Sequence, residues 1–285
     1  MRICRRVSEM QAVSKAVRRG GATLGLVPTM GALHAGHMSL IRAAREQCDV
    51  VTASIFVNPT QFAAGEDFES YPRVFDEDCA KLDAEDVEIL FAPDASEMYP
   101  AGATTFVEVG GIGDRLDGAS RPGHFRGVAT IVAKLFNIVG PDRAYFGQKD
   151  AAQVAVLRAM VRDLNFPLEL VVCPTVREDD GLALSSRNRF LSVDERQAAL
   201  VLRRSLCRAL RHLESSEMAA NHLRETMHSV VAAEPLARLD YAEIVDPNTL
   251  LPVNQATEDA LFAVAAWIGK TRLIDNLLLK VVEHE

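Results

Sequence analysis

Two histidines three positions apart, His34 and His37, lie in the stretch Val27-Pro28-Thr29-Met30-Gly31-Ala32-Leu33-His34-Ala35-Gly36-His37. Imidazole donors at such a spacing can meet charge as it develops on an anionic ligand, and the glycines let the backbone approach it. The apolar run 23–27 ahead of them reads as a buried strand. Met38, Leu40, Ile41 and Ala44 behind them have helical spacing. The pair therefore stands at the carboxyl end of a strand and the N-terminus of a helix, where open α/β sheets hold anions. A plainer role fits the same spacing, one ring capping the helix and the other packing. A zinc pair is disfavoured, because no neighbouring Cys, His or Asp cluster completes a ligand set.

Four further stretches could do chemistry. Gly147-Gln148-Lys149-Asp150 follows an apolar strand and opens a helix, so Lys149 could hold a phosphate and Asp150 could cap. It could equally be a solvated turn. Asp180-Gly181-Leu182-Ala183-Leu184-Ser185-Ser186-Arg187-Asn188 reads as a mobile phosphate-gripping loop or as a linker stapled by its own side chains. Asn58 and Gln61 beyond one strand, and Gln153 in the first turn of a helix, are uncharged amides suited to a small hydroxy acid. Arg121-Pro122-Gly123-His124-Phe125-Arg126-Gly127 could hold an anion or merely start a helix. Neither G-x-x-x-x-G-K-[ST] nor G-x-G-x-x-G after a strand is present, so a nucleotide would bind by another route.

Around these residues, strand and helix signals alternate through the first part of the chain. A capping box at Ser8 and Gln11 opens a helix to about 19. Strands follow at 23–27, 50–57, 87–91, 106–109, 144–146 and 168–172, with helices ending near 47 and covering 76–84, 127–139 and 151–164. That alternation implies a parallel sheet covered by helices. Beyond residue 176 the order changes. Ser192 and Glu195 cap a helix to about 213, a second covers 217–233, and strands at 239–245, 260–268 and 271–278 follow with little helix between them. Consecutive strands favour hairpins in a small α+β domain.

Composition sets the class. The chain has 285 residues, 48% of them hydrophobic and 25% charged, which is ordinary for a soluble enzyme. A net charge of -8 argues against broad nucleic-acid or anionic-membrane binding and leaves room for a small local basic site for a nucleotide. The five dispersed cysteines fit reduced thiols, no run reaches transmembrane length, and no apolar stretch follows the basic Arg2 to Arg6. A cytoplasmic enzyme is expected.

Residues 28–37, 56–62, 121–128, 147–150 with Gln153, and 184–188, in that order and spacing, resemble the pantoate–β-alanine ligases. The resemblance covers nearly the whole chain. It implies an α/β fold: a Rossmann-like parallel sheet with helices on both faces over residues 1–175, binding nucleotide and pantoate. Residues 176–285 would form a smaller α+β domain closing over the ATP site. The implied chemistry has two steps. Pantoate carboxylate attacks the α-phosphate of ATP, releasing pyrophosphate; the β-alanine amine then attacks the acyl carbon of pantoyl adenylate, releasing AMP. No covalent protein nucleophile is needed, so positioning and charge stabilisation carry the work.

By the same resemblance Met30, Gly31, Ala32, Leu33, His34, Ala35, Gly36 and His37 line the ATP site, with His37 the proton donor. Gly147, Gln148, Lys149, Asp150, Val176, Leu184, Ser185, Ser186 and Arg187 complete it; His34, His37, Lys149, Ser185 and Arg187 are the catalytic set. Asn58, Gln61 and Gln153 take the pantoate site, with Gln61 also near β-alanine. Mg²⁺ would travel with ATP, with no protein ligand assigned, and a homodimer is implied. Two positions depart from the pattern: Leu184 where relatives often carry Met, and Gln148 where they often carry Glu. Three rivals stay open at this level: the same fold acting on another small acid, AMP transfer to a phosphorylated acceptor, and a non-catalytic nucleotide- or RNA-binding module.

Overall fold

The computed structural model describes residues 1–63, 65–66, 68–214, 219–257 and 259–279. In chain order the first part contains β1 (Arg2–Cys4), α1 (Val7–Arg19), β2 (Leu24–Thr29), α2 (Ala35–Gln47) and β3 (Val50–Ile55). A 3-10 turn (Pro59–Gln61) leads to α3 (Phe75–Ala84), β4 (Ile89–Phe91), α4 (Ala95–Met98), α5 (Asp117–Ser120) and α6 (His124–Val139). Then come β5 (Arg143–Gly147), α7 (Ala151–Asp163) and β6 (Glu169–Cys173). The remainder holds α8 (Val193–Ala198), α9 (Val201–Glu214), α10 (Ala220–Ala232) and strands β7 (Ala237–Val245), β8 (Leu261–Ile268) and β9 (Thr271–Leu278).

Two compact units result. One comprises Met1–Gly147 and Val156–Pro174; the other takes Gln148–Ala155 and the chain from Thr175 onward. In the first, six parallel strands lie in the order β1-β4-β3-β2-β5-β6. The chain winds outward from β2 through β3 and β4, then restarts at β5 on the other side of β2. That reversal places a crevice beyond the carboxyl ends of β2 and β5. Both faces of β2 are covered: Val27 turns toward Leu40, Ile41 and Ala44 of α2, while Leu24 and Leu26 point the opposite way and are fully buried. In the second unit β7, β8 and β9 form an antiparallel meander. Phe262, Val264, Ala266 and Ile268 of β8 share one face and pack with Leu202 and Leu206 of α9 and Leu223, Met227 and Val231 of α10. The expected parallel sheet and the small α+β unit are thus both present.

Several boundaries differ, each for a local reason. Helix α1 starts at Val7, not behind Ser8, because the Glu9 carboxylate accepts the N–H groups of Arg5 and Arg6, each at 3.2 Å. Residues 106–109 form no strand: the Val107 N–H donates to Thr130 Oγ1 (2.9 Å) and Arg126 stacks on Phe106, tying the segment to α6. Helix α6 begins at His124, three residues before its expected start. The helix expected over 192–213 breaks at Ala199 and Leu200 into α8 and α9, although its capping box forms, Ser192 Oγ accepting from Glu195 N–H at 3.2 Å. The expected start of α10 at residue 217 lies outside the described residues. Strand β1, three residues long, is an addition to the expected set.

Candidate active site

Strand β2 delivers Thr29 to the crevice, and the next four residues turn sharply. Gly31 has φ +83° and Ala32 φ +51°, so two consecutive residues are left-handed. Gly31 is required twice over: a Cβ there would also sit 3.0 Å from Asp78 Oδ2 and 3.2 Å from Ile55 Cγ2. The turn is pinned from three sides. Thr29 Oγ1 donates to the Ser54 carbonyl (2.6 Å) and accepts from Gly31 N–H (3.2 Å). Asp78 of α3, 1% exposed, accepts from Ala32 N–H at 2.8 Å and Leu33 N–H at 2.7 Å. Lys81, also on α3, donates to the Leu33 carbonyl at 2.8 Å. The N–H groups of Gly31, Ala32 and Leu33 therefore hold the loop itself.

His34 and His37 follow as a reciprocal cap. His34 is the N-cap of α2, and its Nδ1 accepts from Gly36 N–H (3.2 Å). His37 Nδ1 accepts from His34 N–H (3.3 Å). A ring nitrogen that accepts carries no proton, so each neutral ring has its hydrogen on Nε2. The ring centroids are 4.1 Å apart. Gly36 makes room for this packing, since a Cβ would lie 2.9 Å from His34 Cε1. The three-residue spacing is that of a capping box with imidazoles in place of the usual hydroxyl and carboxylate.

Asn58 and Gln61 form the adjoining corner. Asn58, 1% exposed, is fully engaged: Nδ2 donates to Gln61 Oε1 (3.0 Å) and the Gly127 carbonyl (3.1 Å), while Oδ1 accepts from Tyr99 and Thr60 hydroxyls. It acts by holding its neighbours. Gln61 Nε2 donates to Met30 Sδ at 3.0 Å, which brings this corner onto the β2–α2 loop. Gly127 lies against the Thr60 carbonyl and Gln61 Cα so closely that no Cβ fits.

The loop before α6 closes on the Gln61 backbone. Glu66 takes Arg121 bidentately, with Nε to Oε1 and Nη2 to Oε2 both at 2.6 Å. Burial is the largest single influence on Glu66 and opposes its charge, but the Arg121 hydrogen bonds and charge, with the Ala63 N–H and His124, together hold its carboxyl below the usual range. Arg121 Nη1 lies 3.0 Å from His124 Nε2, and His124 Nδ1 lies 2.8 Å from the Gln61 carbonyl. Burial first, then the Arg121 charge, push His124 down to about 4 against the opposing pull of Gln61, Asp117 and Glu66. An unfolded histidine titrates near ~6.5, so as pH falls the unfolded chain takes the proton first and stability declines over the window from there to the folded value. Roughly 2 kcal/mol from this residue should be gone at about pH 5 relative to neutral. Urea titrations of wild type and His124→Phe at both pH values check this; equal losses would mean the folded ring is already charged.

The remaining site residues belong to the second unit. Asn276 of β9 donates from Nδ2 to the carbonyls of Gln148 (3.0 Å) and Lys149 (2.8 Å), and accepts from Gln148 Nε2 at 3.2 Å. The amide at position 148 is thus a donor to Asn276, a bond a carboxylate could not donate. Lys149 Nζ reaches Asp150 Oδ1 at 3.4 Å, and Gln153 follows in the first turn of α7. Asp275 takes Arg177 bidentately, both contacts at 2.8 Å. Val176 accepts from Leu184 N–H (3.0 Å), closing a hairpin-like loop. Ser185 caps the 3-10 turn Ser186–Phe190 through Arg187 N–H (3.2 Å), and Asn188 donates to the Ala183 carbonyl (3.1 Å). So Met30 to His37, Asn58, Gln61 and Gly147 are held by the first unit; Gln148, Lys149, Asp150, Gln153, Val176 and Leu184 to Arg187 are held by the second.

Sequence reading missed Asp78, Lys81, Glu66 and Asn276. Only Asp78 left a signal: it lies one helical turn before the buried Leu82, a carboxylate on an apolar face.

The chain as a whole is similar to known proteins. The model of the family described as pantoate–β-alanine ligase matches residues 2–278. The pantothenate synthetase of Koribacter versatilis is 58% identical over 280 residues, covering 98% of this chain and 96% of its own. The crystal structure of pantothenate synthetase from Thermus thermophilus superposes with a TM-score of 0.92 at 46% identity, covering 99% of this chain and 100% of its own. The pantoate–β-alanine ligase of Francisella tularensis, crystallised with β-γ ATP and β-alanine, gives 0.80 at 36% identity over 98% of this chain and 97% of its own.

Proposed function

The chain belongs to the pantoate–β-alanine ligase family, and we propose on that premise which residues carry each half of its reaction. The reaction is ATP-dependent ligation of pantoate to β-alanine through a pantoyl adenylate. In the first half a pantoate carboxylate oxygen bonds to the α-phosphorus, and the bond from that phosphorus to the pyrophosphate oxygen breaks. Negative charge grows on the departing pyrophosphate. His34 and His37 are the donors that meet it, and Lys149 adds a point charge. Ser185 and Arg187 hold phosphate oxygens. Met30 to Leu33, Ala35, Gly36, Gly147, Gln148, Asp150, Leu184 and Ser186 line the nucleotide, and the Val176 backbone meets the adenine. In the second half the amine attacks the acyl carbon and AMP leaves with the bonding pair.

Gln61 and Gln153 bind the hydroxyl-bearing body of pantoate, with Asn58 acting through Gln61. Mg²⁺ would travel with ATP and neutralise part of the phosphate charge, oxygen ligands of the kind phosphates offer being the ones it prefers; among the described residues no three His, Cys, Asp or Glu side chains gather as a metal cage. The same reading makes the protein a cytoplasmic homodimer without a nucleic-acid partner. The net charge of -8 supports the last of these; among the described residues no helix is long and apolar enough to cross a membrane.

The observation that carries these assignments is the reciprocal cap, because it fixes both rings with Nε2 protonated at the carboxyl end of β2. Pyrophosphate exchange into ATP tests it. Exchange should require pantoate, and AMP should accumulate only when β-alanine is added. Exchange supported by a different hydroxy acid would move the substrate, and none with any acid would remove the assignments. Within that assay Gln153→Ala should raise the KM for pantoate about tenfold, a loss of roughly one well-made hydrogen bond. A larger effect on β-alanine would mean that the two substrates are exchanged.

A further inference from the structure

The motif Arg121-Pro122-Gly123-His124-Phe125-Arg126-Gly127 has no part in the assignments above, yet two of its side chains, Arg121 and His124, converge on one residue, Gln61. Arginine has donors only, so the Arg121 Nη1 contact at 3.0 Å makes His124 Nε2 an acceptor. The ring is then neutral with its proton on Nδ1, and that N–H donates to the Gln61 carbonyl at 2.8 Å. Arg121 Nη2 donates to the same carbonyl at 3.3 Å. Glu66 holds the guanidinium from its far side through two 2.6 Å bonds. Arg121 is therefore committed to Glu66, His124 and Gln61, which takes it out of the anion-binding reading of this loop. Gly127 lets the Thr60–Gln61 backbone lie directly on α6, and Asn58 fixes the Gln61 side-chain oxygen. Backbone and side chain of Gln61 are thus constrained independently.

We propose that His124 is a positioning residue for Gln61, its Nδ1 proton fixing the Gln61 carbonyl and the Glu66–Arg121 pair fixing the tautomer that can donate it. The proposal rests on the reading that Gln61 binds pantoate. His124 touches no substrate; its effect passes through the backbone of Gln61. Loss of the donor should loosen the Gln61 amide and weaken pantoate binding while leaving the chemistry at phosphorus intact.

The test is pantoate-dependent pyrophosphate exchange on the full chain with His124→Ala, His124→Asn, Gln61→Ala and the double variant Gln61→Ala/His124→Ala. His124→Ala should raise the pantoate KM about tenfold with kcat changed by less than about threefold, the scale of one hydrogen bond. His124→Asn places an amide N–H where Nδ1 stood and should return the KM to within about threefold of wild type. The double variant should be no weaker than Gln61→Ala alone. Equal KM values for the Ala and Asn variants, or effects that multiply in the double, would overturn the proposal. Should His124→Ala not fold, Glu66→Gln is read instead: it loosens Arg121 without touching the ring, and an unchanged pantoate KM there would overturn the proposal too. An unchanged KM in Gln61→Ala would instead remove the pantoate reading of Gln61, and the proposal with it. A raised KM in Gln61→Ala beside an unchanged one in His124→Ala removes the proposal alone.

Discussion

His37→Ala should lower kcat for pantoate-dependent exchange by ~10²–10³, the loss typical of one preorganised donor to transition-state charge. The reason is geometric. His37 Nδ1 accepts the His34 N–H, so the neutral ring carries its proton on Nε2 without needing to be charged. Such a donor is oriented before the nucleotide arrives, which is the condition under which an uncharged group contributes most to catalysis. The same substitution also deletes one half of a helix cap, which costs about 1 kcal/mol of stability. The two effects separate cleanly, because a cap loss shifts the urea midpoint while a donor loss does not. A rate within a few-fold of wild type would sink the assignment. His34→Ala should also lower the rate, and the double variant should lose less than the product of the singles. The rings lie 4.1 Å apart and each Nδ1 anchors the other's surroundings, so the pair behaves as one unit.

Features set by neighbours in sequence were legible, and features set by distant partners were not. The strands of the parallel sheet announced themselves as apolar runs because both faces of β2 are covered, and the Ser192–Glu195 box formed as read because its partners are three residues apart. The same logic failed at Ser8, where a carboxylate at Glu9 offered the backbone a better acceptor than the hydroxyl. Residues 106–109 have strand-like composition, but Thr130 supplies their hydrogen bond, so no strand forms. Strand β1 is too short to show periodicity and exists because β4 pairs with it. At the site, the glycines and histidines of the β2–α2 loop could be picked out by type and spacing. The groups that hold them could not. Asp78 acts on residues 45 and 46 positions away, and Asn276 on residues 127 and 128 away. A sequence displays which residues could do chemistry more readily than which residues keep them in place.

Asp78→Ala is the sharpest test of that division, and it should cost about 3 kcal/mol of stability and raise the ATP KM about tenfold. Asp78 makes two charge-assisted bonds to adjacent N–H groups from a fully buried position, and each such bond contributes roughly 1.5–3 kcal/mol. What they hold is a conformation the chain does not favour. Ala32 sits at φ +51°, a left-handed geometry that costs an alanine about 1 kcal/mol or more. Freed of Asp78, Ala32 relaxes toward negative φ and carries Leu33 and the start of α2 with it. Asp78→Asn should be nearly as damaging despite its shape. An amide has one oxygen for two N–H groups and turns its own N–H₂ against the second. Urea unfolding gives the stability loss, and ATP kinetics at a temperature where both variants remain folded give the rest. Wild-type ATP kinetics in a destabilised Asp78→Ala would show that Thr29 and Lys81 suffice to shape the loop. The left-handed turn would then be a consequence of folding with no bearing on nucleotide binding. A raised ATP KM in both variants, with the pantoate KM unchanged, would tie the buried carboxylate to the geometry of the histidine loop alone.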